Sequence, residues 1–206
     1  MTELFISAFI TLFVVIDPPG CAPIFYGLTS GASVAQRRRM ALRAVFVATL
    51  ILLGFAAVGE DFLRLLGISL EAFRIAGGIM LFVIAMEMVF EKRTQRREDR
   101  AQKIIDSPEI EDVSIFPMAM PMIAGPGSIA TVMLLMARAQ GVEESMVVLA
   151  ALAVNLVILA VAMLTIGPLM RLFGNQVEAV ITRLLGVILA ALAVQFVLDG
   201  LEGSIF

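Results

Sequence analysis

Six separate stretches of this chain are each apolar enough, over about 20 residues, to cross a lipid bilayer. They run over 4–28, 40–59, 72–90, 114–137, 145–168 and 180–200. Of the 206 residues, 60% are hydrophobic, and the mean hydropathy is +1.00. Soluble domains hold roughly 45–50% apolar residues, so the surplus here must face lipid. The expected fold is an all-α membrane protein with six transmembrane helices. Residues 4–16 alone could pass for the core of a signal peptide. Their flank is Met-Thr-Glu rather than basic, and Asp-Pro-Pro-Gly stands where a cleavage site would fall. The segment is therefore read as part of the mature protein.

The connections are short except for 91–113, a densely charged stretch that must lie in water. Its six cations are outnumbered by seven anions, which reads as a cytoplasmic linker rather than a nucleic-acid patch. Cationic residues set orientation in membranes. With the N-terminus outside, inner loops hold twelve Lys and Arg: Arg37, Arg38, Arg39, Arg43, the six of the linker, Arg171 and Arg183. The outer side holds three, Arg64, Arg74 and Arg138. Both termini are therefore expected outside.

The chain repeats itself. Arg64-Leu-Leu-Gly-Ile-Ser-Leu-Glu-Ala72 matches Arg171-Leu-Phe-Gly-Asn-Gln-Val-Glu-Ala179 at a shift of 107 residues, and that shift also lays Asp17-Pro-Pro-Gly20 on Ala124-Gly-Pro-Gly127. With two more residues inserted, Arg74-Ile-Ala-Gly77 falls on Arg183-Leu-Leu-Gly186. The domain reading follows: residues 1–90 form a first repeat, 91–113 the linker and 114–206 a second repeat. Each repeat has three spans, so the second enters from the opposite side. Inverted repeats of this kind mark secondary transporters, though channels share them.

The repeats carry matching interruptions. Span 1 breaks at Asp17-Pro18-Pro19-Gly20, where two prolines remove backbone donors and fix φ. About 20 Å of helix precedes the break, deep in a hydrocarbon core roughly 30 Å thick. The helix should stop near Ile16 and restart with Asp17 as N-cap and Pro18 at the first helical position. Span 4 breaks at Ala124-Gly125-Pro126-Gly127-Ser128, and a second half-helix should start near Pro126. Irregular backbone at such depth is tolerated only inside protein or beside a wet cavity. Half-helix N-termini carry roughly half a positive charge each and favour an anion such as a carboxylate.

Asp17 is the one carboxylate deep in a span, and an intramembrane acid is a functional candidate. It can cap the half-helix, hold a substrate ammonium or carry a proton. With no histidine in the chain, proton handling falls to a carboxylate. Asn155, in the middle of span 5, is read equally as an interhelical hydrogen bond and as a substrate contact. Gln195, Glu87 and Thr131 are the remaining polar residues of note within spans. The single Cys21 excludes an internal disulfide.

Enzymatic readings find little support. A Ser-His pair is impossible without histidine, an intramembrane aspartyl protease needs a second deep carboxylate, and no Gly-x-x-x-x-Gly-Lys occurs for ATP. No catalytic residue, cofactor or metal is expected, and the oligomeric state stays open.

Asp17-Pro-Pro-Gly-x-x-Pro23 in span 1, Arg-Ile-Ala-Gly-Gly in span 3 and Ala-Gly-Pro-Gly-Ser in span 4 together resemble the MarC family, also called the neutral amino acid transporter (SnatA-like) family. The resemblance covers nearly the whole chain. It implies a multi-pass protein of the bacterial or archaeal inner membrane. It also implies proton-coupled transport of small neutral amino acids such as glycine or alanine. Carried onto this chain, the family site is Asp17, Pro18, Pro19 and Gly20 with Gly125, Pro126, Gly127 and Ser128; Asn155 joins them from the reading of span 5. The resulting expectation is alternating access around the half-helix N-termini of spans 1 and 4, with an exporter or a passive channel as the alternative.

Overall fold

The structure, a computed structural model, describes the backbone of residues 1–90 and 112–205, and the side chains within these except those of 60, 167–179, 181, 182 and 205. Most of the charged linker thus lies outside the described residues, as do the side chains of the Arg171–Ala179 repeat copy. Among the described residues the fold is helical throughout, without strands. The α-helices are α1 (Thr2–Ile16), α2 (Pro18–Leu28), α3 (Val34–Leu65), α4 (Leu70–Val89), α5 (Pro126–Arg138) and α6 (Gly141–Ile205). A wide-turned segment, Ser114–Ile123, precedes α5.

Among the described residues, five helical stretches are long and apolar enough to span a membrane: Thr2–Leu28, Val34–Gly59, Leu70–Val89, Gly141–Ile166 and Arg183–Ser204. The last two both belong to α6. A sixth forms if Ser114–Ile123 and Pro126–Arg138, which meet at 53°, count as one. The outer surface is what lipid requires. Leu42, Phe46, Leu50 and Leu53 point outward along α3, and Val154, Val157, Val161 and Leu164 along α6, at the spacing that keeps residues on one helical face.

The helix ends follow local chemistry. α3 begins well before its apolar stretch because Ser33 and Gln36 form a capping box, each satisfying a donor of the other. Arg37 then reaches back to the end of α2. Its Nε donates to Thr29 Oγ1 at 3.0 Å and its Nη2 to the Thr29 carbonyl at 2.9 Å. Its guanidinium lies 4.7 Å from the Tyr26 ring centre. In Ser114–Ile123 the helix cannot hold ordinary spacing. Phe116 (φ −124°, ψ 126°) and Met120 (φ −133°, ψ 125°) are extended, as residues before proline prefer, and both proline bonds are cis. Wide hydrogen bonds remain, from Met118 N–H to Val113 O and from Ala124 N–H to Ala119 O.

Two apolar cores position everything else. One gathers Ala8, Leu12 and Ile16 of α1 with Phe25 of α2, Ala41, Ala44 and Ala48 of α3, and Leu152, Leu156 and Leu159 of α6. The other joins Val14 and Val15 of α1 to Leu81, Ala85 and Met88 of α4, Leu134 of α5, and Leu189, Ala193 and Phe196 of α6. Hence α1 is wrapped from both sides. The second core includes an antiparallel helix pair with a clear register. Gly200 lies on Glu71 and Ile75, Gly78 on Ala193 and Val197, and Gly186 on Ala85 and Met88. Each glycine is where a Cβ would meet the partner within about 3 Å, so the missing side chains let the backbones approach. At one end of this pair Arg138 closes the bundle, paired with Asp199 and 4.4 Å from the Phe196 ring centre.

Candidate functional site

The break at Asp17 is built from four consecutive residues. Asp17 N–H still donates to Phe13 O at 2.9 Å, so α1 runs unbroken to Ile16. Asp17 itself takes a left-handed backbone (φ 58°, ψ 63°) and is the one described non-glycine residue with positive φ. Asp tolerates that region better than most residues. From this position its carboxylate turns back over α2 and accepts from Gly20 N–H at 3.2 Å, serving as N-cap. Only 2% of Asp17 is exposed.

Pro18 and Pro19 shape the two sides of the break differently. In a continuous helix their N–H groups would serve the carbonyls of Val14 and Val15, and proline has none to give. The end of α1 keeps the negative character of any helix C-terminus, with the Asp17 carboxylate beside it and Cys21 Sγ donating to Ile16 O at 3.3 Å. The start of α2 has correspondingly few donors. Its first two residues have no N–H, and the third, Gly20, is already held by Asp17. An α2 start offering open donors is what half-helix logic leads one to expect; here its own cap has used it.

The start of α5 is the opposite case. Its N-cap, Gly125, has no side chain and makes no capping hydrogen bond. Pro126 occupies the first position, and Ile129 N–H is the first to find an intrahelical partner, Gly125 O at 3.0 Å. The N–H groups of Gly127 and Ser128 therefore belong to the unserved set that every helix start carries. Both residues are buried, while Pro126 is exposed. Gly125 is pinned to the preceding segment, since a Cβ there would lie 2.4 Å from Pro121 O.

These two ends meet. A Cβ on Gly127 would lie 3.5 Å from Val15 Cγ1 and 2.5 Å from Ile84 Cδ1. The first turn of α5 thus packs on α1 two residues before Asp17, with α4 behind it. Asp17, Pro18, Gly20, Gly125, Gly127 and Ser128 are all buried and Pro19 is half-buried. Asn155 is placed differently. It is fully buried, and its Nδ2 donates to Phe9 O at 3.2 Å and to Ala151 O at 2.9 Å. Phe9 lies eight residues before Asp17, about 12 Å along the helix. Asn155 therefore ties α6 to α1 well away from the breaks, while its Oδ1 is buried without a partner. Among the described residues no group of three or more His, Cys, Asp or Glu stands close enough to hold a metal ion.

A bundle of five to six membrane-crossing helices, apolar outside, defines a multi-pass integral membrane protein. Comparison with known proteins says which kind. The chain belongs to the MarC family: the profile described as MarC family integral membrane protein matches residues 2–205. It is 36% identical over 203 residues to the UPF0056 membrane protein MJ1677 of Methanocaldococcus jannaschii, covering 98% of both chains. It is 34% identical to the UPF0056 membrane protein YvbG of Bacillus subtilis, over 98% of this chain and 96% of that one. To the UPF0056 membrane protein YhcE of Escherichia coli it is 30% identical, over 97% and 93%. No solved structure matches.

Proposed function

We propose that this chain is a secondary transporter of small neutral amino acids, glycine- or alanine-like, coupled to protons. In this reading it works by alternating access around the breaks before α2 and α5. One observation carries it: inside a membrane bundle, a helix start with unserved N–H groups packs against a helix end that carries a buried carboxylate. A zwitterion has that pattern of charge. Its carboxylate suits the first turn of α5 at Gly127 and Ser128. Its ammonium suits Asp17 and the C-terminal carbonyls of α1. Pro18, Pro19 and Gly20 hold Asp17 in place, and Gly125 and Pro126 set the direction of α5. Asn155 serves by holding α1 to α6.

Two further features support an inverted pair of three-helix repeats with broken first and fourth spans. The α4–α6 contact is nearly self-reciprocal. The shift that carries Arg74 onto Arg183 carries Gly77, Ala85 and Met88 onto Gly186, Val194 and Val197. Gly186 lies on Ala85 and Met88, and Gly78, beside Gly77, lies on Ala193 and Val197. That is the pattern of a pseudo-two-fold axis between the helices. The Lys and Arg distribution supports both termini outside the inner membrane, with relatives in both archaea and bacteria.

The test is counterflow of labelled glycine and alanine in proteoliposomes, comparing the native chain with Asp17→Asn at several pH values. Saturable exchange by the native chain, with loss of proton-driven accumulation in the variant, is the expected result. Unsaturable flux would make the protein a channel. No exchange of any small amino acid by folded native protein would sink the assignment.

A further inference from the structure

Three helices bring two arginines together at one end of the bundle. Arg74 stands one turn before Gly77 and Gly78 on α4. A Cβ on Gly77 would lie 2.8 Å from Leu134 Cδ1 of α5, and one on Gly78 would lie 2.7 Å from Ala193 O of α6. Residues three and four apart share a helix face, so Arg74 faces the seam between α5 and α6. Arg138 follows Leu134 by one turn and closes the same seam, paired with Asp199 and 4.4 Å from the Phe196 ring centre. The two guanidinium groups stand close enough for their like charges to act on one another.

The carboxylate at this seam is already in use. Asp199 pairs with Arg138, and its other oxygen accepts from Gln195 Nε2 at 2.6 Å. Arg74 is half-buried, and its Nε is buried with no hydrogen-bond partner among the described residues. Among the described residues no carboxylate pairs with Arg74; that of Glu71, one turn away, lies over Gly203. One positive charge is therefore left over. Arginine within a span is costly and normally paired, and a second arginine beside it adds repulsion. Snorkelling carries a lone arginine to the surface, but it does not account for two arginines set against one seam. Depth fits a ligand from the membrane boundary. Arg74 is the fifth residue of α4, Arg138 ends α5, and Asp199 lies five residues before the end of the Arg183–Ser204 stretch. About 6–8 Å of helix separates Arg74 and Asp199 from those ends, where hydrocarbon gives way to headgroups.

We infer that Arg74 and Arg138 form a binding site for a phosphate monoanion, supplied by the phosphodiester of an anionic phospholipid headgroup. Guanidinium groups bind phosphate oxygens through paired N–H groups. The phosphate oxygens meet the terminal nitrogens of the two arginines, and the phosphate charge offsets the one that Asp199 leaves over.

The experiment follows thermal unfolding by helical circular dichroism in detergent while dioleoylphosphatidylglycerol is titrated in. Dioleoylglycerol, with the same chains and no phosphate, and inorganic phosphate are separate additions. The phospholipid should stabilise the native protein, and dioleoylglycerol should not. Arg74→Gln should weaken the apparent Kd about tenfold, the effect of one lost hydrogen bond to a charged group. Arg64→Gln removes the same charge from an exposed position and should keep the native Kd. Asp199→Asn removes the competing carboxylate and should tighten binding; it carries the test if Arg74→Gln does not fold. A native Kd in Arg74→Gln, equal weakening in Arg64→Gln, or weaker binding in Asp199→Asn would overturn the inference. Arg74-dependent stabilisation by inorganic phosphate, with none by the phospholipid, would uphold the phosphate site and overturn the headgroup as its source. No stabilisation by either would overturn both. None of these outcomes bears on the transport reading.

Discussion

Gly20→Ala puts a methyl group where the Asp17 carboxylate already stands. A Cβ built on Gly20 would lie 2.4 Å from Asp17 Oδ2, 2.9 Å from Cγ and 3.1 Å from Oδ1. All three distances are shorter than van der Waals contact, so no small adjustment of one atom relieves them. The carboxylate must swing away and give up its bond to Gly20 N–H. Losing an N-cap costs about 1 kcal/mol, and stranding a buried polar group costs roughly 1–3 kcal/mol. A control lies on the same helix. At Gly27 a Cβ would meet nothing within 4 Å, so Gly27→Ala is expected only to gain helix propensity, up to about 1 kcal/mol. Both substitutions share that gain, and their difference isolates the clash. It should come to about 1–3 kcal/mol, or about 2–12 °C in Tm for a chain of this length. With no Trp and one Tyr, intrinsic fluorescence is a poor probe, and loss of helical circular dichroism in detergent is the better one. A Gly20→Ala protein as stable as Gly27→Ala would refute the packing of Asp17 over α2. On the transport reading proposed above, displacing Asp17 should lower glycine exchange by Gly20→Ala and not by Gly27→Ala.

Two other perturbations test the framework around the site. Arg37→Lys should lower stability by roughly 1.5–3 kcal/mol, the range for hydrogen bonds to a charged group. Lysine cannot reproduce the two-pronged contact with Thr29 or the stacking on Tyr26, so a native Tm would show that these contacts do not hold α2 to α3. Asp112, outside the spans, feels burial pushing its carboxyl up, but hydrogen bonds from Ser114 and the charge of Arg43 outweigh this and hold it below the usual carboxylate range. A depressed carboxylate contributes stability that is complete above its unfolded pKa of about 3.9 and is lost as pH falls through the lowered folded value. Both partners are largely exposed, so the contribution stays under about 1 kcal/mol. The Tm difference between native protein and Asp112→Asn should therefore be constant from about pH 5 to 8 and close below about pH 4. A difference that widens in acid would contradict the pairing with Arg43.

The boundaries that the sequence placed well are those set by single residues. Proline withholds a donor wherever it stands, so the end of α1 at Ile16, Asp17 as cap and the start of α5 at Pro126 follow from the chain itself. The boundary it misplaced is one where hydropathy is a poor guide. α3 begins at Val34, six residues before its apolar stretch, because a Ser-x-x-Gln capping box supplies the start; that signal was in the sequence at Ser33 and Gln36. The two spans read at 145–168 and 180–200 match the membrane-length stretches Gly141–Ile166 and Arg183–Ser204, although helical backbone continues between them in α6.

Hydropathy and Pro/Gly punctuation are local, so the chain alone determined that it is a helical membrane protein and where α1 ends and α5 begins. What the breaks face is not local. That Gly127 packs on Val15 and that Asn155 spends its amide on Phe9 rather than at the breaks both depend on contacts between residues more than a hundred positions apart. Those were decided by the tertiary structure. An apolar span reads alike on every face until its neighbours are in place.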